Sequence, residues 1–426
     1  MLDQAPWFTE ARFGMFIHWG LYALPARHEW VKNREEITDE DYQKYFDHFD
    51  PDLYNPREWA AAAKKAGMKY MVLTTKHHEG FCLWDSALTE YKVTNTPIGR
   101  DLVREYVDAV REAGLKVGFY HSLIDWHHPD FTIDGVHPQR NHPDRDKLDE
   151  GKDLARYRDY LHGQVRELLT DYGQIDYLFF DFSYKANNPD GIAEGKGAEE
   201  WGSEELLAMV RELQPGIVVN DRLEIPGDFV TPEQYQPASA LKNDDGTSLA
   251  WEACQTLNGS WGYYRDNYNY KSVPMLLGML IDGVSKDGNL LLNVGPTGRG
   301  YIDGIDIETL DGIGEWMRLH SRSIYGAGPS EYTPPQDVRY TQRGNRLYVH
   351  VLAWPFGHLH LPDLDGKVEY AQLLNDASEI KFRGAKPGQE AVNTTPGSQP
   401  AGTLTLDLPV RAPEVAVPVI ELFLKE

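Results

Sequence analysis

The sequence predicts an α/β protein, a (β/α)8-like barrel of irregular spacing followed by a small C-terminal β-sandwich. Three observations carry that reading. Short apolar runs alternate with amphipathic helical stretches over residues 1–327, and such alternation builds a parallel sheet of barrel length. The runs are almost continuously apolar, as strands covered on both faces must be. Past Gly326 the texture changes to Pro-rich turns (GPSEYTPPQD) and alternating segments, the pattern of a β-sandwich over residues 328–426.

Taken in order, the strands expected are Gly14–His18, Lys69–Thr75, Lys116–His121, Asp176–Asp181, Gly216–Asn220 and Asn289–Val294. Helices are expected between them. One starts at Asn55-Pro56, a capping side chain followed by a proline in the first turn, and stops at Gly67. A second repeats the logic from Asp101 to Gly114, and others follow at Asp153–Leu169, Ser203–Leu213, Val273–Ser285 and Ile307–His320. In the C-terminal region Arg346–Leu352, Leu404–Leu408 and Val415–Phe423 alternate as strands. The uneven spacing between barrel strands leaves room for large insertions or an incomplete barrel.

Charge narrows the partners. The 66 acidic residues against 42 basic ones give a net charge of −24, a field that repels phosphate backbones and anionic membranes. Neither a nucleic acid nor a membrane is therefore an expected partner, and neutral substrates are compatible. Cys82 and Cys254 are the two cysteines of the chain, and they form neither a disulfide framework nor a metal-binding pair. No basic-then-apolar leader opens the sequence and no run of about 18 apolar residues occurs in it, so a cytoplasmic location is expected. The oligomeric state is not legible. The aromatic share of 12%, with 11 Trp and 24 Tyr, suits a sugar-binding surface and equally a large aromatic core.

Chemistry in a barrel of this kind collects where the strands end. The first expected strand ends in His18-Trp19-Gly20, the second runs into Lys76-His77-His78-Glu79, and the third ends in Tyr120-His121. The fourth ends in Asp181 after three apolar residues, and the fifth in Asn220-Asp221-Arg222. Polar clusters on five strand ends make that rim the expected active site. A metal held by His and acidic residues is one chemistry for it. Two carboxylates flanking a glycosidic bond, with His, Trp and Tyr holding a sugar, is the other. Adjacent His77 and His78 would alternate faces on a strand, and no HExxH or strand-end HxH occurs, so the sugar site fits better and no metal or cofactor is expected.

Segments WFTEARFGMFIHWGLYA (Trp7–Ala23), Glu29-Trp30, TTKHHEGFCLWDS (Thr74–Ser86), VGFYHSLIDWHHPD (Val117–Asp130), FFDFS (Phe179–Ser183), VNDR (Val219–Arg222), GDFVTPEQ (Gly227–Gln234), AWEACQT (Ala250–Thr256) and SKDGNLLLNVGPTGRG (Ser285–Gly300) run in order along the chain. Together they resemble the α-L-fucosidases of glycoside hydrolase family 29. The resemblance implies a retaining exo-α-L-fucosidase that releases terminal α-L-fucose from oligosaccharides or glycoconjugates by double displacement, without cofactor. It assigns Asp181 as the nucleophile. The acid/base falls on Glu233, with Glu252 the alternative, since relatives supply this residue from positions that align poorly. His18, Glu29, Trp30, His77, His78, Tyr120 and Arg222 match sugar-holding or nucleophile-contacting positions, with Trp126 and Trp261 expected at the pocket wall or leaving-group side. The usual pattern around the nucleophile is Trp, a small or polar residue, Asp, then often Gly, whereas here Phe179 and Phe180 precede Asp181 and Phe182 follows it. Fucose carries a methyl at C5, so an apolar niche lined by residues such as Phe182 or Trp261 is expected. The polar insertion 185–200 after the nucleophile strand is a natural place for a leaving-group determinant. Two other readings stay open: a related α-L-glycosidase such as an α-L-galactosidase, and a carbohydrate-binding protein on a degenerate hydrolase scaffold.

Overall fold

The computed structural model describes residues 2–184, 195–385, 388 and 397–425, so the insertion after Asp181 lies outside the described residues as far as residue 194. The chain opens with α1 (Trp7–Ala11), β1 (Phe13–Ile17), α2 (Val31–Arg34), α3 (Asp39–Asp47) and α4 (Pro56–Lys65). Next come β2 (Tyr70–Lys76), α5 (Leu102–Glu112), β3 (Lys116–Ser122), α6 (Arg145–Leu148), α7 (Leu154–Thr170) and β4 (Tyr177–Asp181). The series closes with α8 (Ala198–Trp201), α9 (Ser203–Leu213), β5 (Val218–Val219), β6 (Trp251–Thr256), α10 (Val273–Ser285), β7 (Gly288–Val294) and α11 (Gly304–His320). Helix starts follow their expected chemistry. The Asn55 side chain accepts the Arg57 N–H at 3.2 Å, and Asp101 accepts that of Arg104 at 2.8 Å, each satisfying a donor the first turn leaves open.

The seven strands form one parallel sheet in the order β5-β4-β3-β2-β1-β7-β6. The expectation was a (β/α)8-like barrel of irregular spacing, and the described residues hold a curled seven-stranded parallel sheet. Residues 229–233 span the interval between its outer strands through parallel bridges from Phe229 to Asn220, Val230 to Trp251 and Glu233 to Cys254. The Glu252 N–H donates to the Val230 carbonyl and the Cys254 N–H to the Pro232 carbonyl, both at 3.0 Å. Pro232 has no N–H to return, one reason this ladder stays irregular. Strand β6 was not expected, because WEACQT is no apolar run, yet all six of its residues are buried. Gly14 of β1 is required where it stands: a Cβ there would collide with the Tyr70 ring, which lies across the strand inside the curl.

The C-terminal part adds β8 (Val338–Arg343), β9 (Arg346–Val351), β10 (His358–Leu361), β11 (Val368–Leu373), β12 (Lys381–Gly384), β13 (Leu404–Asp407) and β14 (Val419–Leu424). They make two antiparallel sheets, β11-β14-β9-β8 and β10-β13-β12. One apolar cluster draws Leu347, Val349 and Ile420 from the first sheet and Leu359, Leu361 and Leu406 from the second. This part is tied to the parallel sheet's helices: the Trp316 indole donates to the Val417 carbonyl at 2.7 Å, and Arg339 meets Asp282 at 2.8 Å. Among the described residues no helix is long and apolar enough to cross a membrane.

Candidate active site

The strand ends surround a cavity of about 370 Å³. Asp181, the last residue of β4, is nearly buried beside it. The Tyr120 hydroxyl, from β3, donates to Asp181 Oδ2 at 2.7 Å, and Arg222 Nη1 donates to Oδ1 at 2.7 Å. The other arm of the same guanidinium, Nη2, reaches Glu233 Oε2 at 2.7 Å. Arg222 Nε is held by Thr231 Oγ1 at 2.9 Å, so the fork is aimed from behind by the irregular 229–233 ladder. Burial works against the Arg222 charge, but Asp181 and Glu233 outweigh it and raise the guanidinium further above its ordinary value. Glu233 itself is the exposed member of the pair, at 41% of its side chain.

The histidines supply acceptors. Strand β2 ends at Lys76 after a register shift against β3, so His77 and His78 no longer alternate faces. Both line the cavity, their rings 4.0 Å apart. Gly80 closes this turn at φ 86°, where a Cβ would strike the Asp125 carboxylate that accepts the backbone N–H groups of His127 and His128. His78 Nδ1 lies 2.7 Å from Ser122 Oγ, whose own hydroxyl donates to the Ile124 carbonyl at 2.7 Å. With that one proton committed, His78 Nδ1 must be the donor. Its Nε2 is then a lone pair, 3.9 Å from Asp181 Oδ2. His18 follows the same logic. The Asn293 amide nitrogen donates to the Trp261 carbonyl at 2.7 Å, so its Oδ1 accepts from His18 Nδ1, also at 2.7 Å. Burial, then the neighbouring His77, lowers His18 to about 3. Burial with His77 and His18 pushes His78 well below its ordinary range. Two neutral imidazoles each keep an Nε2 acceptor, which a hydroxyl-bearing ligand satisfies.

Glu29 is buried and accepts the backbone N–H groups of Trp261 (3.1 Å) and Gly262 (2.9 Å), tying the loop after β6 to the segment after β1. Burial alone would raise its carboxyl, but His28, the Gly262 N–H and His77 outweigh it and bring Glu29 down to about 2. Trp30 and Trp261 face the cavity, Trp30 with its ring 5.1 Å from both His78 and Phe182. Phe182 stands at φ 78°, the left-handed region that favours glycine. A bulky residue held there stores about 1–3 kcal/mol, and in return places a ring on the cavity wall.

Two expected residues stand elsewhere. Trp126 does not line the cavity: it is buried one layer back, its ring 5.2 Å from that of Trp30 and 5.4 Å from that of His78, and its backbone N–H donates to the His78 carbonyl at 2.8 Å. Glu252 lies on the second residue of β6, beneath the cavity, bonded to the Tyr177 hydroxyl at 2.6 Å and to the Tyr70 hydroxyl. Burial raises its carboxyl from 4.5 to about 7, against the lowering pull of Tyr177, Tyr70 and Asn289. The folded protein therefore keeps a proton that the unfolded chain has released. That contribution to stability is full below the unfolded value and is lost as pH rises through about 7. In Glu252→Gln the fall in Tm between pH 5 and pH 8 should be shallower than in the wild type, with turnover retained. A melting series with equal slopes in both proteins would refute the buried-proton account.

Sequence reasoning missed Phe16, Phe179, Arg34 and Gln234, which also line the cavity. The first two carried a signal: each stands two residues before a strand-end polar group, His18 or Asp181, and so shares its face. Among the described residues no group of His, Cys, Asp or Glu is placed to hold a metal ion.

Paired carboxylates on a parallel-sheet rim, walled by aromatic rings and neutral imidazoles, define a glycoside-cleaving enzyme. Residues 2–322 match the family model described as alpha-L-fucosidase. The tissue alpha-L-fucosidase of Bos taurus is 31% identical over 395 residues, covering 84% of this chain and 78% of its own. Alpha-L-fucosidase isoenzyme 1 from Paenibacillus thiaminolyticus superposes with a TM-score of 0.91 at 46% identity, over 100% of this chain and 99% of that one. An alpha-L-fucosidase from Bacteroides thetaiotaomicron, solved as a trapped covalent intermediate with 2-fluoro-fucosyl fluoride, gives a TM-score of 0.82 at 28% identity, over 100% and 96% of the two chains. The chain belongs to the alpha-L-fucosidase family of glycoside hydrolases.

Proposed function

We propose that this protein removes terminal α-L-fucose from oligosaccharides or glycoconjugates with retention of configuration, Asp181 attacking and Glu233 moving the proton. The observation that carries the assignment is the single Arg222 guanidinium lying 2.7 Å from each carboxylate. In the first step an Asp181 oxygen forms a bond to the anomeric carbon as the bond to the leaving oxygen breaks, and Glu233 gives that oxygen its proton. Asp181 becomes a neutral ester while Glu233 becomes a carboxylate. In the second step Glu233 takes a proton from water, water attacks the same carbon, and Asp181 leaves as a carboxylate. One negative charge passes from one arm of Arg222 to the other and back, so the guanidinium neutralises whichever carboxylate is ionised.

Sugar hydroxyls donate to the Nε2 atoms of His18 and His78, and the Trp30 ring offers a face to the pyranose. Phe16, Phe179 and Phe182 make an apolar niche that favours the fucose methyl over the hydroxymethyl of an α-L-galactoside, which a comparison of the two aryl glycosides checks. Following the hydrolysis by proton NMR tests the whole reading. The first sugar signal should be the α anomer, and initial β anomer or no turnover would overturn it. Ser122→Ala should raise KM for an aryl fucoside about three- to tenfold with a smaller change in kcat, because His78 loses the acceptor that sets its tautomer. An unchanged KM would show that His78 is oriented by other contacts.

The same reading takes the 229–233 ladder as an irregular eighth strand that completes a (β/α)8-type barrel over residues 1–327. It takes the two antiparallel sheets as the layers of a β-sandwich domain over 328–426, an arrangement their shared apolar cluster supports.

A further inference from the structure

Arg34 lines the same cavity as Asp181 and Glu233 and is exposed at its mouth. Its neighbours in sequence are all paired: Arg27 binds Glu35 through two bonds of 2.7 Å, Lys32 meets Asp39 at 2.6 Å, and Glu36 takes Arg140 at 3.3 Å. Among the described residues no carboxylate stands within ion-pair distance of Arg34. In a chain of net charge −24, a cation left open at the pocket entrance stands out against a field that otherwise repels anions. Its position is set by backbone. The Arg34 N–H donates to the Trp30 carbonyl at 2.8 Å, the i to i−4 bond of a helical turn, which stacks residue 34 on the same face as residue 30. Trp30 walls the sugar pocket, and Arg34 stands one turn, roughly 5–6 Å, toward solvent from it. Glu233 also faces the mouth, where its Oε2 is held by Arg222 Nη2 at 2.7 Å.

Resting on the fucosidase reading, we propose that Arg34 selects leaving groups bearing an anion, a carboxylate or a sulfate ester, on the ring next to the fucose. The guanidinium fork donates to the oxygens of either, and matches a planar carboxylate best. The test uses 4-carboxyphenyl, 4-sulfophenyl and neutral 4-carbamoylphenyl α-L-fucosides, with kcat/KM for each anionic substrate divided by that for the amide. Comparing this ratio between proteins cancels the leaving-group chemistry. Arg34→Ala should lower the ratio about three- to tenfold and Arg34→Glu further, while Arg34→Lys keeps most of it. A larger drop with the carboxylate than with the sulfonate identifies acidic sugars as the better match, and the reverse identifies sulfated ones. Ratios unchanged in both Arg34→Ala and Arg34→Glu would overturn the proposal while turnover of the amide leaves the fucosidase reading standing. Absence of turnover on all three substrates in the wild type would overturn both.

Discussion

Asp181→Gly is expected to lower kcat/KM for 4-nitrophenyl α-L-fucoside by at least about 10⁴-fold while the protein stays folded. Without the carboxylate no ester can form, and the Tyr120 hydroxyl and one arm of Arg222 lose the group they bind at 2.7 Å. The space left beside Arg222 suits a small anion. Added azide should therefore restore part of the turnover, attacking the anomeric carbon from the Asp181 side and expelling the phenolate. That attack inverts the centre once, so the product is β-L-fucosyl azide. Wild-type activity in Asp181→Gly would refute the nucleophile. An α-configured azide would do so in another way, by showing that the vacated face belongs to the acid/base.

Glu233→Ala should cost about 10²–10⁴-fold in kcat/KM with poor leaving groups and far less with 4-nitrophenyl α-L-fucoside. The reason lies in the proton. A nitrophenolate departs unaided, whereas an alkoxide needs a proton as the bond breaks. Release of the ester also slows without a base, so the covalent intermediate accumulates and KM falls with the activated substrate. Azide should now yield the α-configured product, since it replaces the attacking water rather than Asp181. Should Glu252→Gln show this dependence on leaving group and Glu233→Ala lack it, the roles of the two glutamates must be exchanged.

The rival glutamates show how far the sequence reached. Both lie in segments that resemble the family, and no local pattern separates them. Height along the strand does. Glu252 is the second residue of β6, which ends at Thr256, four residues or about 13 Å further up a strand of this type. At that depth it meets Tyr70 and Tyr177 instead of a ligand. Glu233 sits on a ladder that no periodicity announces, because Pro232 breaks its hydrogen bonding, and it lines the cavity with its Oε2 held by Arg222. Trp126 is a similar case: an aromatic residue near a strand end, which packing set behind the wall rather than on it. His77 and His78 went the other way, since a register shift ended the strand early and brought both rings to one side.

The residues at the strand ends, with the alternation of apolar runs and helices around them, were determined by the sequence alone. Strand polarity and period are local properties, and a side chain two residues from the end of a buried strand has little choice of face. Asp181, His18, Tyr120 and the apolar residues beneath them follow from that. Which carboxylate shares Arg222 with Asp181, which nitrogen of each histidine stays free, and which cation stands at the mouth were decided only by the tertiary structure. Those outcomes depend on contacts between segments far apart in the chain: Arg222 with Glu233, Asn293 with His18, Ser122 with His78. Their partners are chosen by closure of the sheet, and the proton positions follow from which groups it brings within hydrogen-bond reach.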